Sequence, residues 1–282
     1  MSWNGRRDQV SWSNGLAEWV EGGSAFISVA FSWKLPEAWQ RSIWYRENNL
    51  SVRVGGPALY YYPDYFEGVA EAGGKIEALP HHNSRATKAS EGCPVGCYFC
   101  NVWRAEGREF SFFPEFEPRP VLIDNNLSAL PAEYQDFIIE KYQSAGVFIS
   151  DITSGFEPRT FTEETYLRWK KINKGFWRFA FDESTQAEEE ACQRMAGILT
   201  KERSALKRVY VLIGNEPFEA CYRRVMRVIE WGCEPFVMPF IGLKSLTKKP
   251  DIKFDWTEKK LKALARWCNR WIYRSVSFND YK

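Results

Sequence analysis

"EGCPVGCYFCNVW", residues 91–103, places Cys93, Cys97 and Cys100 within eight positions of one another. Three thiols with the spacing C-x3-C-x2-C can face one metal centre from a single short loop. The spacing therefore predicts a metal-binding loop. The other four cysteines are scattered along the chain, at positions 192, 221, 233 and 268.

Two other interpretations of the three cysteines remain open. A zinc site would normally have a fourth protein ligand, for which the nearest candidates are His81 and His82. Zinc loops more often contain two C-x2-C knuckles, whereas this chain has one. The other interpretation is three unrelated free thiols. Gly92 and Gly96 favour a metal centre, because they allow the tight backbone curvature that a thiolate cluster needs. Seven cysteines are an odd number, which argues against a disulfide framework, and we predict that the four isolated ones are buried.

Length, composition and charge limit the class of protein. A chain of 282 residues, 45% of them hydrophobic, can form one large α/β domain or a medium domain with a small extension. The net charge of +2 gives no bulk electrostatic reason to bind a polyanion, and no segment is typical of a nucleic-acid-binding module. Residues 1–15 carry charge with no apolar stretch behind them, and no apolar run has the length of a membrane span. We therefore expect a cytoplasmic protein with no membrane partner.

Strand-like and helix-like segments alternate from about residue 84 onward. Alternation at this spacing predicts a parallel sheet, closed or partly closed into a barrel, and six repeats fall short of an eight-stranded barrel. A last helix is predicted at 255–275, capped by Asp255 or Thr257. The predicted strands are 84–90, 120–126, 146–152, 177–182, 208–214 and 234–240. The predicted helices between them are 131–145, 162–173, 186–200 and 216–232.

The first eighty or so residues have a different pattern. Residues 25–31 and 50–56 are β-branched, apolar and bounded by glycine or proline, and the segment between them has helical spacing, so they predict one βαβ unit. The predicted fold class is α/β: a partial (β/α)6 TIM-like barrel with a small N-terminal βαβ extension and a C-terminal helix. The predicted divisions are an N-terminal cap at 1–82, the barrel at 83–245 and a helical extension at 246–282.

Polar segments follow the predicted strands at the ends where parallel barrels carry their chemistry. The cysteine loop follows the first strand, and we expect the polar segments after the later strands to converge with it on one rim. These segments are "DNN" at 124–126, "SGFEPR" at 154–159, "DES" at 182–184 and "GNEP" at 214–217.

The segment "CPVGCYFC" resembles the signature of the radical S-adenosylmethionine superfamily, which is C-x3-C-x2-C with an aromatic residue, here Phe99, directly before the last cysteine. The resemblance covers about residues 83–245 and implies the six-stranded partial barrel. It also implies that Cys93, Cys97 and Cys100 ligate three irons of a [4Fe–4S] cluster, while S-adenosylmethionine chelates the fourth. Reductive cleavage of that cofactor would give methionine and a 5′-deoxyadenosyl radical, which abstracts hydrogen from a substrate in the barrel mouth.

The resemblance further implies contacts with S-adenosylmethionine. Phe99 would pack near the adenine. In many members of the family the second strand ends in a Gly-Gly-Glu-like turn that holds the amino group of the cofactor, but this chain has "LIDNNL" there. Asp124 would then accept the ammonium group, and Asn125 or Asn126 would supply a carbonyl.

Four residues on or after the later strands complete the predicted cofactor site. Glu157 and Arg159 offer a carboxylate and a guanidinium, the latter suited to the methionine carboxylate or to an anionic substrate. Asp182 would hydrogen-bond ribose hydroxyls, and Ile213 lies in the apolar segment where the family places adenine. For the charged residues the alternative is an ordinary role in a surface loop or a helix cap.

Two other functions are kept as alternatives. Residues 25–66 resemble a trimmed cobalamin-binding-type Rossmann segment, which would suit a cobalamin-dependent radical methyltransferase, although the usual Asp-x-His-x-x-Gly loop is absent. A zinc-stabilised binding protein without catalysis is the other. For the radical enzyme, the expected partners are an electron donor such as flavodoxin or ferredoxin and an unidentified substrate: a nucleobase or nucleoside, a peptide or a small metabolite. The aromatic Tyr60, Tyr61 and Tyr62 are predicted to help shape the substrate pocket.

Overall fold

The computed structural model describes residues 12–74 and 76–281, so most of the 1–15 segment considered above lies outside the described residues. The strands are β1 Leu16–Glu21, β2 Ser24–Val29, β3 Ser51–Gly55, β4 Glu71–Ala72, β5 Ala86–Thr87, β6 Ser90–Glu91, β7 Ser111–Phe112, β8 Val121–Leu122, β9 Asp151–Ile152, β10 Trp177–Ala180, β11 Lys207–Ile213 and β12 Glu234–Pro239. The helices are α1 Leu35–Glu47, α2 Leu79–His82, α3 Val102–Ala105, α4 Ala132–Ser144, α5 Glu163–Lys170, α6 Gln186–Ile198, α7 Phe218–Glu230 and α8 Glu258–Asn269.

The N-terminal residues form a small sheet with the order β1-β2-β3-β4. Strands β2 and β3 are parallel and are connected by α1, which confirms the predicted βαβ unit. Strand β1 pairs antiparallel with β2 and was not predicted. Buried residues such as Ile27, Leu35, Val54 and Phe66 form a core of this unit.

The six predicted strands of the second part of the chain are present, although several are shorter than predicted. They form two sheets with the orders β5-β8-β9 and β10-β11-β12, and every pair within them is parallel. Two contacts connect the segments around β9 and β10. They are an isolated parallel bridge between Ile149 and Asn173 and a hydrogen bond of 2.8 Å from Phe156 N to Arg178 O. The fold is therefore mixed α/β with parallel strands in chain order, and the described strands form no closed barrel.

The larger core lies between these strands and the helices. Alternate strand residues such as Trp177, Phe179 and Val211 are buried in it, as expected where one face of a sheet is covered by helices. Leu264 and Trp267 of α8 are buried in the same core, so the last helix packs as part of this unit. The four isolated cysteines are buried, which confirms that prediction: Cys192, Cys221, Cys233 and Cys268.

Side chains at the helix starts explain where several helices begin. Thr162, Thr185 and Thr257 each accept a hydrogen bond from the backbone N–H three residues later, which satisfies a donor left unpaired at a helix start. Thr257 is therefore the cap of α8, and Asp255 instead accepts from Phe218 N, at 2.8 Å, at the start of α7. Over the described ranges, none of these helices is long and apolar enough to cross a membrane.

The N-terminal unit contacts two loops of the larger one. The hydroxyl oxygen of Ser32 lies 2.7 and 2.9 Å from two carbonyl oxygens of residues 243–245, which follow β12. The Tyr62 hydroxyl donates to a third carbonyl of that segment at 2.6 Å. On the cysteine loop, Asn101 Nδ2 donates to Pro57 O at 3.3 Å. The small unit thus lies against the loops after the first and the last parallel strands.

Candidate functional site

The cysteine loop depends on two glycines. Gly92 and Gly96 have φ angles of 94° and 71°, which residues with a side chain rarely adopt. A Cβ atom would lie 2.1 Å from Glu109 O at the first position and 2.6 Å from the Arg108 guanidinium at the second. The loop conformation therefore requires glycine at both positions, as the sequence predicted.

Side chains just after the loop hold its carbonyl groups. Trp103 Nε1 donates to Cys97 O at 2.8 Å, and Arg104 donates to the carbonyls of Cys97, Tyr98 and Cys100. The guanidinium of Arg104 also lies 4.1 Å from the centre of the Trp103 ring. Because these side chains satisfy the loop carbonyls, those carbonyls do not need the thiols as hydrogen-bond donors.

The three thiols are half-buried and lie near hydrogen-bond donors. Val102 N donates to Cys100 Sγ at 3.4 Å, and Asn126 Nδ2 donates to Cys93 Sγ at 3.8 Å. Burial, followed by the charge of Cys100, raises the pKa of Cys97 to about 12. Without a metal, the Cys97 thiol is therefore protonated at neutral pH, and metal binding must displace its proton because the thiolate is the ligand.

The arrangement of the thiols bears on which metal group they fit. Among the residues that the structure describes, no three Cys, His, Asp or Glu side chains are close enough to hold a single metal ion. The three thiols of the loop are no exception. Ligands of one tetrahedral zinc lie about 3.8 Å apart. In a four-iron cluster each cysteine binds a different iron, so the sulfurs lie farther apart. Thiolates are soft donors of the kind that an iron–sulfur cluster takes, and Cys93 and Cys100 accept N–H···S bonds, so the donor chemistry is compatible with a cluster, whose binding stays a prediction.

The histidines considered as zinc ligands lie in the N-terminal unit. The His81 ring stacks on Trp19 with centroids 3.9 Å apart. The His82 ring nitrogens contact the hydroxyls of Ser13 and Ser28, the latter at 2.9 Å. Burial lowers the pKa of His82, so its ring is neutral at physiological pH. Both rings thus have partners away from the cysteine loop.

Asp124 contacts the segment that leads into the cysteine loop. Its side chain is fully buried, and its two oxygens accept hydrogen bonds from Ala89 N at 2.9 Å and Ser90 Oγ at 2.5 Å. Burial raises its pKa to about 6. In this structure Asp124 therefore positions the segment that leads to Cys93, and its contact with a cofactor stays a prediction.

Glu106 is a residue of the site that the sequence analysis did not identify. Its Oε2 accepts from Gly92 N at 3.1 Å and from Asn125 Nδ2 at 2.6 Å, and its Oε1 accepts from Lys88 Nζ at 2.9 Å. One carboxylate thus connects the first and second parallel strands with the start of the loop. No spacing rule indicates it, since its partners are fourteen or more residues away along the chain.

The loop after β9 brings Glu157 and Arg159 next to the cysteines. The two side chains form an ion pair with Nε and Oε1 2.6 Å apart, and both interact electrostatically with the Cys97 thiol. Phe99 is half-buried and packs edge-to-face on Tyr98, with centroids 5.0 Å apart. Glu157 and Arg159 are thus paired with each other and within electrostatic range of Cys97, and their contact with a cofactor stays a prediction.

Asn215 joins the loops after β10 and β11 to the cysteine loop. Its Nδ2 lies 3.1 Å from Asp182 O and 3.3 Å from the Tyr98 hydroxyl oxygen. Asp182 Oδ1 accepts from Leu212 N at 2.8 Å, so its carboxylate faces the fifth strand. Ile213 is fully buried in the larger core, where its side chain contacts protein, and the adenine contact proposed for its segment stays a prediction.

A fully buried arginine forms hydrogen bonds to the same two loops. The guanidinium of Arg224 in α7 donates to Phe181 O at 2.7 Å, to Leu212 O at 3.1 Å and to Glu216 Oε2 at 2.8 Å. It also donates to Ser184 Oγ at 3.1 Å. These bonds satisfy carbonyls at the ends of β10 and β11 and thereby fix the backbone on either side of the predicted site.

Glu188 adds a half-buried carboxyl group next to Asp182. Its Oε1 accepts from Asp182 N at 3.0 Å. Burial raises the pKa of Glu188 to about 7 and that of Asp182 to about 6. The folded protein therefore binds protons that the unfolded chain, with glutamate near its usual pKa, has already released, so stability falls as the pH rises through this range.

Replacing Glu188 by glutamine is expected to increase stability at high pH. The amide keeps an acceptor for Asp182 N but carries no charge, so the free energy of unfolding should rise by about 1 kcal/mol at pH 8 and change little at pH 4.5. Urea unfolding at the two pH values measures the difference. Glu190→Gln, at an exposed position of the same helix, is the matched control. Equal effects at both pH values would contradict the assignment.

Comparison with known proteins identifies no relative by sequence: no protein-family model matches the chain, and no curated protein matches it. The class of the protein must therefore be inferred from the chain itself. The features available for this are the half-buried thiols, the contacts that fix their loop and the charged groups of neighbouring loops.

Proposed function

We propose that the chain is a radical S-adenosylmethionine enzyme built on a partial barrel of β5, β8, β9, β10, β11 and β12. The observation that carries the proposal is a loop of three half-buried thiols at the end of the first of six parallel strands. The order of the strands along the chain is the order that such a barrel needs. The N-terminal βαβ unit would cover the rim, where it already contacts residues 243–245 and Asn101.

Each residue of the loop has a defined task in this proposal. Cys93, Cys97 and Cys100 would hold three irons of a [4Fe–4S] cluster and leave the fourth for S-adenosylmethionine. The bound cluster would supply the electron that cleaves the cofactor to methionine and a 5′-deoxyadenosyl radical. Asn126 and Val102 donate to the sulfurs and would stabilise the thiolates, since hydrogen bonds to the charged form favour it.

The charged groups of the neighbouring loops would orient the cofactor and the substrate. Arg159 lies near Cys97 and presents a guanidinium that fits a carboxylate. Its ion pair with Glu157 fixes its direction. Asn215 and Tyr98 would close the site on the other side and help exclude water from the reacting atoms.

Reconstitution with iron and sulfide under anaerobic conditions tests the proposal. We expect a brown protein with about four irons per chain, and we expect 5′-deoxyadenosine and methionine once dithionite and S-adenosylmethionine are added. Iron analysis and liquid chromatography with mass spectrometry measure both. Omitting dithionite is the control, because cleavage needs a reduced cluster. Colourless protein that holds one zinc and no iron would contradict the proposal and favour a zinc-stabilised binding protein.

A further inference from the structure

A row of charged side chains crosses the parallel strands on the face opposite the larger core. In register, Arg178 of β10 lies beside Arg208 of β11, which lies beside Glu234 of β12. Their chain neighbours Trp177 and Val209 are buried in the larger core, and successive strand residues point to opposite faces. The three charged residues therefore share the other face, where neighbouring side chains or a bound group must compensate their charges.

Arg178 is held in place but keeps an unused donor. Its Nη2 lies 2.7 Å from Asp151 Oδ1, in an ion pair that is not aligned as a hydrogen bond, and its Nη1 donates to the Tyr210 hydroxyl. Within the described residues, Nε of Arg178 and Oγ1 of Thr153, two residues after Asp151 in the chain, are buried and have no hydrogen-bond partner. Buried polar atoms of this kind usually have a partner, so both atoms are expected to bind a group that the protein does not supply.

Arg208 has less compensation than its neighbour. Its Nη2 lies 3.5 Å from Glu234 Oε2, which is a long contact, while Glu234 makes a shorter one of 2.7 Å with Arg274. The Arg208 guanidinium lies 4.5 Å and 5.6 Å from the ring centres of Phe176 and Phe236. Burial, together with the charge of Arg178, lowers the pKa of Arg208. An additional anion would therefore be favoured at this position.

The charges along the row do not balance. Its guanidinium groups belong to Arg178, Arg208 and Arg274, and its carboxylates to Asp151 and Glu234, so the row has one more positive than negative charge. About 14% of the Arg178 side chain and 15% of the Arg208 side chain remain accessible. Because 52% of the Arg274 side chain is exposed, water screens the third guanidinium, whereas those of Arg178 and Arg208 are mostly buried and can still be reached.

We propose that this row is an anion-binding site that takes a carboxylate or phosphate group of the substrate. A guanidinium presents parallel N–H donors that match either oxyanion, and the bond that Arg208 donates to Glu234 is a long one of 3.5 Å. The hydroxyl of Thr153 and the Nε of Arg178 would supply further hydrogen bonds. The site itself rests on this geometry, whereas its assignment to a substrate rests on the proposed function.

The position of the row also limits the shape of that substrate. Leu212 follows Arg208 by four residues on β11, which corresponds to about 13 Å along the strand. Leu212 N donates a hydrogen bond to Asp182 Oδ1, at the end of the strands where the cysteine loop lies. A substrate with its anionic group at Arg208 would therefore extend along the strands by about this length before its reacting carbon reached the mouth. The expected class is an elongated organic anion.

Isothermal titration of the iron-loaded protein with inorganic phosphate and with succinate tests the site at constant ionic strength, with chloride as the reference anion. We expect at least one probe to bind, and we expect Arg208→Gln to weaken binding by about tenfold or more, because a charge-assisted contact is lost. Arg227→Gln, which removes an exposed cation from α7, should bind like the wild type. Stronger binding of phosphate indicates a phosphorylated substrate, and stronger binding of succinate indicates a carboxylated one.

Two outcomes would overturn the anion site: neither probe binding more strongly than chloride, or Arg208→Gln binding as well as the wild type. If Arg208→Gln does not fold, Arg208→Lys decides, because it keeps the charge, loses the planar fork and should still weaken binding. Formation of 5′-deoxyadenosine is measured in parallel. Anion binding without that product would refute the proposed function and leave the site, whereas the product without anion binding would refute the site alone.

Discussion

Replacing Cys97 by alanine is expected to abolish iron binding and cleavage of S-adenosylmethionine while leaving the protein folded. The proposed cluster has three protein ligands, so two remaining thiols cannot hold it in place. The Cys97 side chain is half-buried in a surface loop whose backbone is held by Trp103 and Arg104. Its truncation should therefore cost about 1 kcal/mol or less of the free energy of unfolding. Iron content after anaerobic reconstitution and 5′-deoxyadenosine formation measure the two losses.

The matched control for this variant is Cys233→Ala. It removes a thiol of the same size from the larger core, away from the loop, so it should keep about four irons per chain and wild-type cleavage. Cleavage by Cys97→Ala at the wild-type rate would refute the assignment of the loop. Equal loss of iron in both variants would show that the effect comes from folding and not from ligation.

Replacing Arg224 by methionine is expected to have the largest effect on stability. The fully buried guanidinium bonds to Phe181 O, Leu212 O and the Glu216 carboxylate. Its removal leaves two carbonyls and one carboxylate without this partner, and breaking a buried ion pair on one side costs about 3–5 kcal/mol. The free energy of unfolding of a domain is only about 5–15 kcal/mol, so the variant would lose a large part of it. Urea unfolding followed by circular dichroism measures it.

Two further variants separate the cause of that effect. Arg227→Met removes an exposed arginine of the same helix, whose ion pairs with Glu189 and Glu230 are accessible to solvent, and it should change stability by about 0.5 kcal/mol or less. Adding Glu216→Gln to Arg224→Met should recover part of the loss, because it removes the negative charge that has lost its cation. If Arg224→Met lies within about 1 kcal/mol of the wild type, the buried network contributes little to stability.

The sequence predicted the fold well where periodicity was strong. The helices at 131–145 and 216–232 occur close to those limits, since each has a continuous apolar face against the larger core. The strand predicted at 120–126 is regular only at Val121–Leu122. The residues that follow leave the ladder because the side chains of Asp124 and Asn126 bind Ala89 N and Cys93 Sγ of the first strand and the cysteine loop. Strand β1 was missed because its alternation is weak: it lies at an edge of its sheet and buries only Ala17 among its residues.

The site was predictable only where its residues share one short segment. The spacing of the cysteines and the flanking glycines is visible in the sequence. The contacts of Glu106, Glu188 and Arg224 join residues of different loops, and no local pattern indicates them. Asn215 lies in a polar segment that was recognised, but its bonds to Asp182 and Tyr98 depend on how three loops meet. Position in a rim can thus be predicted from strand order, whereas the partners in it require the three-dimensional structure.

The separation of the buried apolar residues into two cores has a consequence for how the chain denatures. Among the described residues, one core is built around β2, β3 and α1 and the other around the parallel strands. Polar contacts such as those of Ser32 and Tyr62 connect them. Each core is therefore expected to behave as its own cooperative folding unit, with its own resistance to amide hydrogen exchange. A single melting temperature would average two transitions and would not be a thermodynamic property of the whole chain.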